Sequence, residues 1–445
     1  MNSKNLNKYF ERYYEKPDKI FYEKDASELL SHHKLDILFK ILYCEFYLGI
    51  NKSKINKILY YLHLKRWKNF IGKDSNKSSY KDYLDSFHSV IESIKSNNFQ
   101  SNISILPVNQ NNFLIDGSHR LAASIVLNKT VDIYKFNTKS PSFDLKRIDG
   151  LFNFKKYPYI LDYLIMTFIK YNKNLRIFIL FPIRDKSHDK EAINILQKYG
   201  DMVMTKSLNV VNKINAYHIT KNFYFGAEWI GNLNNNYKGA LWKSQVCFSH
   251  QNPRADIILF SPRPGFKNKD GLKQIKEEIR SLYKIRFHSI HSSDDHSETI
   301  RYSKLFFHEL SNTLISKRKN KFFNQFENLL ETLIKEKINE NNFVFSGSTV
   351  LAALGCREPK DFDVIHLGQA IPHVNLSSHN SQLRFLRFNK NELIFNPKNY
   401  FYYMGFKFLN PSIVLELKRN RYKIKPKAKD LEDIKTLEKY TYSLN

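Results

Sequence analysis

The spacing of apolar and polar positions divides the chain into helical and strand-like stretches. Apolar residues recur at helical intervals over Leu35–Tyr47, Ile55–Leu64 and Tyr83–Ile94, so residues 1–100 are expected to be mostly helical. Short apolar runs at Ile103–Val108, Phe113–Ile115 and Val131–Phe136 predict strands, with a helix at Leu121–Leu127 between the last two. Further on, Tyr159–Lys170 reads as a buried helix and Leu175–Phe181 as a strand. Asp189–Tyr199 is a helix stopped by Gly200, Met202–Thr205 and Asp256–Phe260 are strands, and Leu272–Tyr283 is a basic helix. The last part begins with a strand at Phe343–Phe345, a turn of small residues (Ser346–Ser348), a helix at Thr349–Leu354 and a strand carrying Asp361 and Asp363. A strand at Leu383–Phe388, an aromatic run at Tyr400–Phe408 and a helix at Ser412–Arg419 behind Pro411 complete it. This pattern predicts an α/β (α+β) multidomain protein. Its expected parts are a helical N-terminal region (1–79), a small α/β unit (80–150), an α/β middle domain (151–330) and a C-terminal α/β domain (331–445).

Composition changes this picture little. A chain of 445 residues has ample core for several domains. Its richness in Lys, Asn, Ile, Tyr and Phe reads as the imprint of an AT-biased genome. The net charge of +28 suits a polyanionic partner: nucleic acid, an anionic membrane surface, or nucleotide and sugar-phosphate substrates. The lysines are spread along the chain, so no basic tail singles out nucleic acid. Cys44, Cys247 and Cys356 are too far apart for zinc-type spacing and point to a reducing compartment. The opening MNSKNLNKYFERYY has no apolar signal core, and the longest greasy stretch, Tyr159–Ile169, is too short to span a bilayer. A cytoplasmic protein without membrane insertion is therefore expected.

The strongest chemical signal lies between Phe343 and Asp363. On a strand, residues two apart share a face, so Asp361 and Asp363 are expected to project together, and paired carboxylates are ligands for Mg²⁺ or Mn²⁺. Gly347 and Ser348 open a helix whose first N–H groups suit phosphate. This Gly-Ser turn, followed thirteen residues after Ser348 by Asp361-Phe362-Asp363, resembles the signature of the nucleotidyltransferase superfamily that includes DNA polymerase β and the minimal nucleotidyltransferases. The resemblance spans about residues 335–440. It implies a polymerase β-like fold, a nucleoside triphosphate as substrate, a metal at Asp361 and Asp363, and a third carboxylate on a later strand, for which Glu392 is the nearest candidate. The family often ends in a helix with a Lys-Asp-x-x-Asp-Ile pattern, which Lys429–Ile434 matches. The nearby Lys418, Arg419, Arg421, Lys423, Lys425 and Lys427 would neutralise a triphosphate or simply form a solvated face. A turn followed by a strand with two solvated aspartates is the plain alternative for the whole motif.

A second anion-binding pattern lies at Asp116-Gly117-Ser118-His119-Arg120, where a strand feeds a helix N-terminus. Arg120 would add a bidentate phosphate contact, and His119 or Asp116 would act as general base or metal ligand. The run LIDGSHRLAAS resembles the ParB/sulfiredoxin-like fold over about residues 80–140. This resemblance implies a loop that binds the phosphates of ATP or CTP, in a nucleotide-binding or kinase-like unit. Sulfiredoxin's reactive cysteine has no counterpart near the loop, and no helix-turn-helix of the partition proteins follows it. A capped helix behind an Asp-Gly turn is the plain alternative here.

A third cluster, His288, His291, Asp294, Asp295, His296 and Glu298, would bind a transition metal, contact a phosphorylated substrate, or only cap a helix with Asp295 and Glu298. It resembles segments found beside nucleotidyltransferase-like domains in surface-polysaccharide gene products. Together these readings predict a nucleotidyltransferase- or phosphotransferase-like enzyme acting on a small-molecule or sugar-phosphate acceptor. A ParB-like nucleic-acid-binding or nucleic-acid-modifying protein is the alternative. The aromatic and basic residues Tyr60, Tyr61, His63, Lys65, Arg66 and Trp67 would serve base stacking in that case, although an amphipathic helix with its aromatics turned inward accounts for the same spacing.

Overall fold

The computed structural model describes residues 19–69, 77–100, 105–139, 142–249, 253–319, 322–368 and 376–442. The opening stretch without a signal core and the start of the strand expected from Ile103 lie outside the described residues. The chain forms two compact units, 1–173 and 174–445. The finer divisions expected at 79/80, 150/151 and 330/331 fall inside these units.

The first unit contains β1 (Lys19–Asp25), α1 (Ile37–Tyr47), α2 (Lys54–Lys68), α3 (Tyr80–Asn97), β2 (Leu106–Asn109), α4 (Ser118–Val126), β3 (Thr130–Phe136), α5 (Leu145–Phe152) and α6 (Pro158–Tyr171). β3 is the centre of a three-stranded sheet, antiparallel to β1 and parallel to β2. Phe113–Ile115, expected as a strand, makes only an isolated bridge from Leu114 to Val108. The turn is too tight for a ladder: Asn109 Oδ1 takes the N–H groups of Asn111 and Phe113. α1 is buried over nearly its whole length and packs on α2, α4 and α6, as expected for a helix apolar on all sides. Tyr60 and His63 of α2 point into this core, so its aromatic residues turn inward. Glu45 of α1 is buried and accepts from the Tyr171 hydroxyl (2.7 Å) and from Lys170. Asn172 donates to the Leu30 carbonyl (2.7 Å) and the Tyr163 hydroxyl to Asn56 (2.6 Å). These bonds fasten α6 to the N-terminal helices, which is why the unit runs on to residue 173.

The second unit holds two sheets. Its elements are β4 (Arg176–Leu180), α7 (Asp189–Tyr199), β5 (Gly200–Asn209), α8 (Lys213–Phe223), α9 (Lys238–Cys247), β6 (Arg254–Pro262), α10 (Lys269–Tyr283), β7 (Ile290–Ser292), α11 (His296–Phe306), α12 (Glu309–Ser316), α13 (Asn324–Lys335), β8 (Phe343–Phe345), α14 (Gly347–Ala353), β9 (Phe362–His366), β10 (Leu376–Ser378), α15 (Lys390–Phe395), β11 (Tyr400–Tyr403), β12 (Phe406–Leu409), α16 (Pro411–Ile424) and α17 (Ala428–Tyr442). The first sheet, ordered β5-β6-β4-β7, is antiparallel throughout. Phe178 and Leu180 of β4, Leu196 of α7, Phe260 of β6 and Ile275 and Ile279 of α10 form its core.

The second sheet is mixed, ordered β10-β9-β8-β12-β11. The aromatic run at Tyr400–Phe408 is a hairpin whose turn places Met404 and Gly405 at φ +46° and +85°, the left-handed pair of a two-residue hairpin turn. The strand expected at Leu383–Phe388 is instead a 3-10 turn over Asn380–Phe385. Asn380 explains it: its side chain takes the His366 N–H (3.1 Å) and pins the chain back on β9, so it turns where an extended run was expected. The two sheets are tied by buried charges. Lys221 of α8 (2.6 Å) and Arg318 (3.2 Å) both meet Glu327 of α13, which also accepts from the Tyr403 hydroxyl (3.1 Å). Among the described residues, no helix is long and apolar enough to cross a membrane. Mixed helix and sheet in several domains is thus the fold class, as expected.

Candidate functional site

The turn after β8 is built around one carboxylate. Ser346 donates its N–H to the Asp363 carbonyl (2.8 Å), and the Asp363 N–H in turn donates to the Thr349 hydroxyl (2.9 Å). Between them Gly347 takes φ +56°, and a Cβ there would lie 2.2 Å from Asp363 Oδ2. The Ser348 N–H is also bonded to this carboxylate. The absent glycine side chain and the bent backbone therefore make a cradle, and Asp363, 6% exposed, sits in it. Asp361 stands exposed one residue before the start of β9. Burial first, and the Asp361 charge second, push the Asp363 carboxyl up to about 7. Lys418 and Arg421 act in the other direction without compensating.

The residue missed by sequence reasoning is His379. β10 pairs in parallel with β9, Ser377 beside Asp363, and His379 follows immediately. Its Nε2 lies 3.3 Å from Asp363 Oδ1 and its Nδ1 3.5 Å from the Ser346 hydroxyl. Burial, then Arg421 and Lys418, lower it to about 4, so the ring is neutral at neutral pH. A neutral ring orients Asp363 by donating Nε2–H and accepting from Ser346, a proton placement assigned from the geometry. The signal for His379 is the parallel register, which no local pattern in the sequence displays.

Beside the carboxylates lies a charge network from the last two helices. Lys418, 3% exposed, bridges Asp430 (3.1 Å) and Asp433 (2.7 Å). Arg421 Nε holds Asp430 (2.9 Å) and Arg357 holds Asp433 (2.7 Å). The Lys429–Ile434 pattern thus turns its two aspartates inward, while Lys423, Lys425, Lys427 and Lys429 are exposed. The basic run splits into a paired, buried part and a solvated part.

Glu392 requires a correction. It lies in the first turn of α15, a helix and not a later strand, and its carboxylate accepts from Asn396 (3.1 Å). α15 packs on the turn Glu340–Asn342 that leads into β8. That is the Phe343–His366 end of the strand pair, whereas Asp363 lies past Phe345 at the other end. The asparagine-capped start at Asn389 sets the helix, so Glu392 does not stand on a later strand as expected. Asp361 and Asp363 nonetheless suit Mg²⁺ or Mn²⁺: two oxygen donors raise one another's affinity for positive charge, and one is buried short of compensation.

In the first unit the Asp116–Arg120 loop opens a cavity of about 580 Å³. Gly117, φ +90°, caps α4, and Asp116, Ser118 and His119 line the cavity with Lys34, Lys139 and Arg147. Arg120 departs from expectation. It folds back under Gly117, its guanidinium where a Cβ would be, and donates to the Ile105 carbonyl (3.3 Å). His119 is bonded to the Tyr60 hydroxyl (2.8 Å), boxed by Phe87, and held far below the usual histidine range by burial. It is a neutral hydrogen-bonding group rather than a poised base. His63 also faces the cavity; it is 2% exposed and its Nδ1 has no partner among the described residues.

The His288–Glu298 cluster comes apart. Asp295 caps α11 by accepting the Glu298 N–H (2.9 Å), and the Glu298 carboxylate accepts the Asp294 N–H (2.9 Å), one residue away from a capping box. Asp294 also pairs with Lys276 (2.7 Å), and His296 is the first residue of the helix. His288 and His291 lie elsewhere, on an aromatic cavity of about 290 Å³, with His291 bonded to the Tyr302 hydroxyl (2.9 Å). The six residues therefore do not converge on one ion. A scan against family models and searches of curated proteins and of solved structures each found no match to this chain.

Proposed function

We propose that this protein is a Mg²⁺- or Mn²⁺-dependent transferase of nucleotidyl or phosphoryl groups, acting at Asp361, Asp363 and the Ser346–Ser348 turn. The observation that carries the reading is Asp363, buried in a glycine cradle beside a second carboxylate and pushed up to about 7 by that burial and by the Asp361 charge. Asp361 and Asp363 would hold the cation, which when bound neutralises the phosphates of a nucleoside triphosphate. His379 keeps Asp363 in one orientation, and Lys418 and Arg421 add positive potential suited to a polyphosphate. The likeness of the His288–Thr299 segment to surface-polysaccharide gene products favours a sugar-phosphate acceptor and a role in making cell-surface polysaccharide. The first unit would bind a second nucleotide: its cavity carries Lys34, Lys139 and Arg147 around the Asp116–Ser118 turn.

The test is release of labelled pyrophosphate or phosphate from pooled nucleoside triphosphates and sugar phosphates with Mg²⁺. Loss of at least about a hundredfold is expected in Asp361→Ala/Asp363→Ala, with an unchanged circular dichroism spectrum; full turnover in that variant would sink the reading. A ParB-like role would instead give salt-dependent retention on DNA with no turnover.

A further inference from the structure

The cavity that takes in His288 and His291 has two features that the transferase reading does not use. First, its rim exposes large flat side chains: Trp229 at 47%, Trp242 at 56% and Phe287 at 60%. Exposed aromatics gathered on one concavity mark a binding surface. Second, one of its two cations, Lys243, lacks counter-charge. Lys243 is 7% exposed and lines the cavity, yet its ammonium donates only to the Phe287 carbonyl (2.9 Å) and the Cys247 thiol; among the described residues no carboxylate pairs with it. An ammonium taken out of water without an anion is costly. Arg280, whose guanidinium lies 4.7 Å over the Phe287 ring, lines the same cavity; its Nη1 donates to Glu277 (2.8 Å), while its Nε is buried without a partner among the described residues. Among the described residues no aspartate or glutamate lines the cavity.

We propose that this cavity is a binding site for a phosphorylated ring compound, with the phosphate at Lys243 and Arg280 and the ring against Trp242 and Trp229. A phosphate supplies the missing charge for Lys243 and accepts from the Arg280 guanidinium. His288, whose ring meets Trp242 edge-on at 5.5 Å, adds a hydrogen bond. The volume of about 290 Å³ admits a single sugar phosphate or the base and phosphate of a mononucleotide, not an extended polymer.

The test is tryptophan fluorescence of the full chain in a Trp67→Phe background, which leaves Trp229 and Trp242 as reporters. Glucose 1-phosphate and UMP are titrated beside glucose, uridine and inorganic phosphate. Saturable quenching is expected from at least one phosphorylated ring, about tenfold tighter than from either of its halves; which of the two binds better tells a pyranose from a base. Trp242→Ala, at an exposed position, and Lys243→Met are each expected to weaken it about tenfold or more. Lys243→Met is also expected to raise the melting temperature of the free protein, because it removes an unpaired buried charge; a merely structural lysine would lower it. No saturation up to about 10 mM, binding of inorganic phosphate as tight as of the ring compounds, or unchanged binding in either variant would overturn the proposal. None of these readouts depends on turnover at Asp361 and Asp363.

Discussion

Gly347 and Asp363 constrain one another. The carboxylate occupies the space of a glycine Cβ, and the glycine holds a left-handed backbone that other residues rarely adopt. Gly347→Ala should therefore cost at least about 1–3 kcal/mol and displace the carboxylate, read as a lower unfolding midpoint and loss of any stabilisation by Mg²⁺. Ser348→Ala keeps its backbone N–H and should leave both readings near the parent's. His63 yields a pH prediction of known sign. Burial, and then the Lys40 charge, hold it down at about 3, with Asp36 opposing. Below the unfolded value near 6.5 the unfolded chain binds a proton that the folded chain refuses, so stability falls as pH drops from about 6.5 toward 3. At pH 5 the loss from this one group is about 2 kcal/mol. His63→Phe, which preserves the stacking on Phe39, should flatten the slope of unfolding free energy against pH by about one proton; an unaltered slope would show that His63 titrates normally.

Among the elements, the helix pair α16 and α17 matters most to the site, because its buried face carries the charges that act on Asp363. Lys418→Met would leave Asp430 and Asp433 with Arg421 and Arg357 alone. Breaking such a buried network from one side costs about 3 kcal/mol, which chemical denaturation measures. The same change removes a cation that holds Asp363 down, so the carboxyl should titrate higher still, observable as a more alkaline onset of Mg²⁺ stabilisation. The start of α11 tests the opposite idea, that acidic residues there serve the helix alone. Asp295→Ala should cost about 1 kcal/mol and leave turnover intact. A loss of turnover without loss of stability would return the His288–Glu298 segment to the candidate sites.

For the whole molecule, the division at 173/174 predicts that residues 1–173 and 174–445, produced separately, each unfold cooperatively. A cut at 330/331 should fail, because it divides α13 and severs Glu327 and Arg318 from Tyr403; thermal unfolding of the pieces distinguishes the two. The chain's own pattern determined the elements. Helical spacing located α1, α2, α3, α7 and α10, and the small-residue turn located Gly347, because each depends on neighbours within a few residues; Asp361, expected on the strand with Asp363, instead stands just before it. Only the tertiary structure decided what depends on distant pairing. It seated β10 beside β9 and so delivered His379 to Asp363. It made Glu392 part of a helix, and turned Arg120 under its own glycine. It also separated His288 and His291 from Asp294, His296 and Glu298, which a count along the chain had placed together. Register, burial and uncompensated charge arise between segments far apart in sequence, and no local spacing carries them.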